Sequence, residues 1–100
     1  MRASLNGTGV LLLLLLLPHA QADCLIAPDE NGHVDYPAGE TYISDEAFYG
    51  CGTLVSIALP SGVTEIGSSA FYGCSSLVSI TGLSSLTSIG GWAFYACRSL

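Results

Sequence analysis

The side chains best suited to metal or redox chemistry in this 100-residue chain are its four cysteines. Cys51, Cys74 and Cys97 are evenly spaced along the chain. Zinc sites use Cys-x-x-Cys pairs or nearby histidines, and this spacing offers neither. It favours a row of buried thiols instead, because a free cysteine behaves as a small hydrophobic residue. Cys24 stands outside the row and is the better candidate for a disulfide, with Cys51 or a cysteine beyond the given sequence as its partner.

The nearest approach to a catalytic pair is formed by His33 and Asp35, two residues apart. A serine nucleophile requires a base and an orienting group that converge on it, and the serines of this chain recur as turn and cap residues. We therefore predict that the chain is not an enzyme and has no catalytic residue, cofactor or metal ligand. A calcium site is a weaker alternative than a solvated acidic segment, because the local acids do not follow the spacing of an EF-hand loop. Those acids are Asp23, Asp29, Glu30 and Asp35.

The charge distribution excludes two classes of partner. The chain has eight acidic residues against two Lys or Arg and a net charge of −6. Without a basic patch to meet phosphate groups, it does not suit nucleic acid. The same deficit of positive charge makes adhesion to an anionic membrane surface unfavourable.

The N-terminal segment has the order of a cleaved secretory signal. Arg2 precedes an apolar run over residues 10–17, Pro18 ends the run, and Ala20-Gln21-Ala22 places small residues at the cleavage site. The run is much shorter than the ~20 apolar residues that a membrane-spanning helix needs. We predict a signal peptide at residues 1–22, secretion or display at the cell surface, and no membrane insertion of the mature chain. An uncleaved N-terminal anchor is the alternative.

A 23-residue repeat dominates the rest of the chain. Phe48, Phe71 and Phe94 occupy the same position in successive copies, and six further positions match in all three. Such self-similarity is the signature of a solenoid, in which stacked repeats share one continuous core. We predict an acidic N-terminal cap at residues 23–30 and repeats over residues 31–100. Because Leu100 falls in mid-repeat, we expect the array to be truncated here and to continue further.

Each copy contains two extended segments followed by a compact one. In the middle copy, residues 54–59 are rich in apolar and β-branched residues and end at Pro60-Ser61-Gly62, which is typical of a strand and a turn. A second extended segment follows at residues 63–66, and residues 68–77 are predicted to form a short helix or turn. The helix depends on the spacing of four apolar residues, Ala70, Phe71, Cys74 and Leu77.

These elements predict an α/β solenoid of about three coils, with a short parallel β-sheet on one side and short helices or turns on the other. The motifs Leu-x-x-Ile, Val-Thr-x-Ile-Gly and Ala-Phe-Tyr-Gly-Cys-Ser-Ser-Leu, all within residues 54–77, resemble the BspA-like leucine-rich repeats. The resemblance implies a right-handed solenoid and a secreted or surface protein, in a family several of whose members are associated with adhesion to host or matrix proteins. It does not carry over a ligand, because the motif residues are core residues.

Two surfaces remain for recognition. Tyr49, Tyr72 and Tyr95 each follow a core phenylalanine and are predicted to project as a stripe, although they could also merely cover the gaps between helices. On the sheet side, the outward positions include Ser56, Ser79 and Thr81.

The favoured function is an extracellular protein-binding or adhesion module whose partner is another protein. The alternatives are a structural spacer that displays a downstream domain and, with less support, a binder of glycan or ice lattices. If the mature chain ends at Leu100, its open edge predicts self-association.

Overall fold

The computed structural model describes residues 24–100, so the predicted signal peptide at residues 1–22 lies outside the described part. Within it, six short parallel strands form two three-stranded sheets, in the orders β1-β3-β5 and β2-β4-β6. The strands are β1 His33–Asp35, β2 Tyr42–Ile43, β3 Ser56–Ala58, β4 Glu65–Ile66, β5 Ser79–Thr81 and β6 Ser88–Ile89. The predicted parallel sheet is therefore present, and the second extended segment of each repeat forms another sheet beside it.

The period of the repeat sets the register of both sheets. Val34 pairs with Ile57, which pairs in turn with Ile80, and every other pair of strand residues is separated by the same interval. Because side chains alternate across a strand, this register stacks identical positions and keeps every central apolar residue on the inner face. Ile43 and Ile66 form the matching inner row of the second sheet, 0% and 1% exposed.

Phenylalanine closes the core opposite the sheets. Phe48 and Phe71 are fully buried. The rings of Phe48, Phe71 and Phe94 stack in sequence, with centroids 5.4 Å apart and planes within 5° in both pairs. Burial of such a ring contributes about 1.5–3 kcal/mol, so this row is a major source of stability. Phe94, the last ring of the row among the described residues, is half-buried.

The predicted helices are turns. In the middle repeat the N–H groups of Ala70, Tyr72 and Cys74 donate to the carbonyl three residues earlier. The N–H groups between them, including that of Phe71, donate instead to the next repeat, where Ala93 accepts from Phe71 at 2.8 Å. A helix would direct all of these donors along its own axis. The four apolar residues that suggested a helix are all buried, but the contact with the next repeat determines the backbone conformation.

Positive φ angles recur in the turns with the same period. Gly50 and Gly73 have φ angles of 70° and 74°, and Ala96 occupies the equivalent position with 64°. Four residues earlier in each copy, Glu46, Ser69 and Trp92 have φ angles between 57° and 64°. These left-handed residues interrupt any helical run, since only glycine adopts this conformation without steric cost.

The segment before β1 lies over the first repeat. Cys24 forms a disulfide with Cys51, and the N–H of Leu25 donates to the Ala47 carbonyl at 2.8 Å. Cys51 is therefore not a free thiol, contrary to the row of three thiols predicted for the repeat. Cys74 and Cys97 remain free, in accordance with that prediction.

Candidate binding surfaces

Three tyrosines form a continuous stacked row on the outer surface of the turns. The ring centroids of Tyr49 and Tyr72 are 4.7 Å apart with planes 2° apart, and those of Tyr72 and Tyr95 are 5.1 Å apart. Tyr49 is 41% and Tyr95 52% exposed, whereas Tyr72 is half-buried between them. We call this row the tyrosine ladder. Stacking covers the ring faces of Tyr72, so the ladder presents mainly ring edges and hydroxyl groups.

The backbone of the turns places the ladder on the surface. Each tyrosine follows a core phenylalanine, and the two adjacent side chains leave the turn in opposite directions. The N–H of Gly50 donates to the Tyr72 carbonyl at 2.6 Å, and that of Gly73 donates to the Tyr95 carbonyl at 2.8 Å. These bonds hold successive repeats at the distance at which phenol rings stack. The expected stripe is thus present as geometry, and its role in binding stays a prediction.

Trp92 extends the ladder at its C-terminal end. It is 65% exposed and contacts Tyr95 edge to face, with centroids 4.9 Å apart. Trp92 was not among the predicted binding residues, because its repeat position holds Glu46 and Ser69 in the other copies. The signal in the sequence was this break in the repeat, since a large aromatic residue stands at an outward position where the other copies have polar residues. The three residues share one backbone conformation, so Glu46 precedes Tyr49 in its turn at the position that Trp92 has before Tyr95.

The second candidate surface is the outer face of the sheet β1-β3-β5. Ser56 pairs with Ser79 and Ala58 with Thr81, so the predicted residues lie on one face of the sheet. Ser79 and Thr81 are exposed and Ser56 is half-buried. β1 completes the face with His33 and Asp35, which adds a titratable pair to a surface whose β3 and β5 positions are uncharged.

His33 links two other side chains across this face. Its Nδ1 is 2.6 Å from Ser56 Oγ, and its Nε2 is 2.9 Å from Asp35 Oδ1. The neutral tautomer that satisfies both contacts accepts the serine hydroxyl at Nδ1 and donates from Nε2 to the carboxylate. Sequence reasoning missed this convergence, although residues 33 and 56 are one repeat apart.

The order serine, histidine and aspartate is that of an acyl-transfer triad, but its setting is open. The Asp35 side chain is 84% exposed, and all three residues lie on one sheet face. Catalytic groups depend on a cleft that orients the substrate and excludes water. The geometry therefore gives a polar patch on an open sheet face, with the His33 side chain 35% and the Asp35 side chain 84% exposed.

The remaining chemistry-bearing residues are dispersed. Within residues 24–100, no group of three or more His, Cys, Asp or Glu side chains is placed to hold a metal ion. Asp29 accepts hydrogen bonds from the N–H groups of Asn31 and His33, and Asp45 from that of Ser68. The same described part contains no helix with the length and apolar character required to cross a bilayer.

Parallel strands stacked at a constant interval around an apolar interior are the architecture of a solenoid repeat protein. The family model of the BspA type leucine rich repeat region (6 copies) matches residues 33–100. The chain belongs to this family, as the repeat motifs indicated.

A solved structure supports the assignment. The chain is similar to the T. pallidum leucine rich repeat protein, with 38% sequence identity and a TM-score of 0.65 over 68% of this chain. It spans only 34% of that solved chain. No curated protein matches the sequence. The family is a non-enzymatic scaffold fold, and leucine-rich repeats generally bind proteins.

Proposed function

We propose that this chain is an extracellular protein-binding module, of the kind used in adhesion, and that the tyrosine ladder with Trp92 is its contact surface. The observation that carries the proposal is the continuity of the ladder, which places four aromatic side chains side by side on one exposed surface. Tyrosine and tryptophan are enriched at protein interfaces because they combine a large apolar area with a polar tip.

Stacking also preorganises the side chains of the ladder for binding. Association normally costs about 0.5–1.5 kcal/mol for each side chain that becomes ordered. The rings of Tyr49 and Tyr72 are already held parallel, so a partner meets side chains that have little rotamer freedom left to lose. Trp92 is 65% exposed and is the largest area in this surface that a partner could cover.

An extracellular location is supported by two further features. The disulfide between Cys24 and Cys51 belongs to an oxidising compartment, and the order of residues 1–22 is that of a secretory signal. Adhesion is the role that the BspA-like resemblance implies. A lattice-binding role receives less support, because the Ser56 hydroxyl is engaged by His33 and Ala58 interrupts the row of hydroxyl groups.

The test is adhesion of the secreted protein to a panel of immobilised matrix and cell-surface proteins. Tyr72→Ala and Trp92→Ala should reduce retention without changing the circular dichroism spectrum. Tyr42→Ala is the matched control, since Tyr42 lies on β2, stacks on no ring of the ladder within the described residues, and is 40% exposed, against 41% for Tyr49. Retention that is unaffected by the ladder variants, or equally affected by the control, would contradict the proposal and favour the spacer.

A further inference from the structure

We propose that the partner segment that docks on the tyrosine ladder is cationic and rich in arginine. This inference rests on the proposed function, because it names the class of protein surface that the ladder would bind. It follows from the charge of the described residues, from the position of Glu46, and from the tyrosine hydroxyl groups and the exposed indole of Trp92.

The electrostatic field of the repeats is negative. From residue 24 onward the sequence has seven acidic residues and a single base, Arg98. All seven acids are exposed, and they fall between residues 29 and 65. Such an imbalance raises the rate of encounter with a cationic partner and opposes an acidic one.

Glu46 brings this charge to the ladder itself. Its φ of 60° and its repeat position match those of Trp92, which contacts Tyr95. At the opposite end of the ladder, the N–H of Tyr49 donates to the Glu46 carbonyl at 3.2 Å, as the N–H of Tyr95 donates to the Trp92 carbonyl at 3.1 Å, so Glu46 occupies the position of Trp92 in the first turn. Its neighbour Asp45 accepts hydrogen bonds from the hydroxyl of Tyr42 and the N–H of Ser68, whereas Glu46 is exposed and forms no ion pair within residues 24–100.

The ladder also offers acceptors along its length. Within the described part of the chain, the hydroxyl groups of Tyr49, Tyr72 and Tyr95 have no hydrogen-bond partner, and their stacking aligns them in one row. A guanidinium group can donate to these oxygens and to a carboxylate, and its plane can stack on an indole. The indole of Trp92 provides that plane.

Other partner surfaces fit these groups less well. A purely apolar surface would bury the Glu46 carboxylate and the phenol oxygens without hydrogen bonds, at a cost in desolvation. An acidic surface would add repulsion at Glu46. An arginine-rich segment satisfies the carboxylate at one end, the hydroxyl row in the middle and the tryptophan at the other end.

The experiment uses the full secreted chain and three fluorescent peptides of equal length, in which glycine alternates with arginine, lysine or glutamate. Fluorescence anisotropy gives the affinity of each peptide at low and high salt. We expect the arginine peptide to bind most tightly, the lysine peptide more weakly and the glutamate peptide not at all. Binding should weaken as salt screens the charges.

Two matched pairs of variants locate the site. Glu46→Gln and Trp92→Ala should each weaken the arginine peptide by about 3- to 10-fold, the range of a partly exposed ion pair or cation–π contact. Glu40→Gln removes an equal charge in the turn between β1 and β2, and Tyr42→Ala removes an exposed aromatic ring on β2. Both controls should bind almost as wild type. Equal loss in Glu46→Gln and Glu40→Gln, or no preference for arginine over lysine, would overturn the proposal.

The adhesion assay separates the two proposals. If the ladder variants abolish retention on a matrix protein but the arginine peptide neither binds nor competes, the ladder is the contact surface and the cationic partner class is wrong. If the arginine peptide binds at Glu46 and Trp92 but the ladder variants are retained on the matrix protein as well as wild type, the proposed adhesion function is wrong instead. If the arginine peptide competes with the matrix protein for the wild-type chain, and this competition is lost in Trp92→Ala, both proposals are supported.

Discussion

The thiol of Cys74 donates a hydrogen bond to the carbonyl oxygen of Phe48, 3.0 Å away in the preceding repeat. Cys97 repeats the contact with the carbonyl of Phe71, also at 3.0 Å. Burial raises the pKa of the Cys74 thiol from 9.0 to about 12, so the group remains a neutral donor at physiological pH. Cys74 and Cys97 therefore hydrogen-bond to the backbone of the preceding repeat, and they also fill the core as small hydrophobic residues.

We expect Cys74 to resist alkylation in the folded protein. The thiolate is the reactive species, and the raised pKa of Cys74 leaves very little of it at pH 8. Iodoacetamide followed by peptide mass spectrometry should label the half-buried Cys97 first and Cys74 only after unfolding in urea. Rapid labelling of Cys74 in the native protein would mean that the last repeats open on the timescale of the reaction.

The same pKa predicts a loss of stability at alkaline pH. The unfolded thiol releases its proton near pH 9, whereas the folded thiol retains it up to about pH 12. The unfolded state then binds fewer protons, so the free energy of unfolding falls as pH rises above 9. Urea midpoints at pH 8 and pH 10 measure the fall. Burial also raises the pKa of Tyr36 in the same direction, so Cys74→Ala should reduce the pH dependence without abolishing it.

Phe71→Ala should cost about 3–5 kcal/mol of stability, because it removes a fully buried ring from the middle of a stack. Phe71→Leu retains an apolar side chain and should cost less, about 1–2 kcal/mol. Urea unfolding followed by circular dichroism gives both values. An unchanged midpoint for Phe71→Ala would be incompatible with the stacked core.

Ala96→Gly should stabilise the protein. Ala96 has a φ of 64° at the position that Gly50 and Gly73 occupy in the other repeats. A side chain in this region costs about 1–2 kcal/mol, and the added entropy of glycine offsets part of the gain, so we expect about 0.5–1 kcal/mol net.

The reverse change is the control for Ala96→Gly. Gly73→Ala should lose about 1 kcal/mol through backbone strain alone. A Cβ at residue 73 meets no atom closer than 3.7 Å, so crowding is not involved. Thermal unfolding that moved both variants in the same direction would contradict this account.

Cys24→Ala should destabilise the first repeat. The disulfide closes a loop between residues separated by 27 positions, and a loop of this length is worth roughly 3–4 kcal/mol through the entropy of the unfolded chain. Cys51 then becomes a thiol like Cys74 and keeps its place in the core. Wild type under reducing conditions should unfold at the same urea concentration as the variant, and a large difference between them would show that Cys24 contributes by packing as well.

The sequence was sufficient for the parts of the fold that depend on the period. The constant interval between copies predicts which strand residues pair, and it places Ile57 and Phe71 in the core. It could not distinguish a helix from the turns, since both bury Ala70, Phe71 and Cys74. The difference is the direction of alternate N–H groups, and that depends on a neighbouring repeat lying within hydrogen-bond distance.

The surfaces were predicted less completely for related reasons. The tyrosine ladder follows from the period, and its members were found. Trp92 breaks the repeat, so a search for matching positions passes over it. The contact between His33 and Ser56 requires that β1 align with β3, which became evident only when the register was known.

The alternation of N–H donors in the turns has a consequence for how the array can change in length. Half of the donors over residues 69–74, those of Ser69, Phe71 and Gly73, are satisfied by the next repeat rather than by their own. Insertion of one residue in a turn would exchange the two sets of donors and misalign all later pairs. Duplication or deletion of a whole repeat leaves each donor opposite an equivalent acceptor. We therefore expect the array to change length in steps of whole repeats. Gain or loss of a complete repeat should be tolerated better than insertion of a single residue.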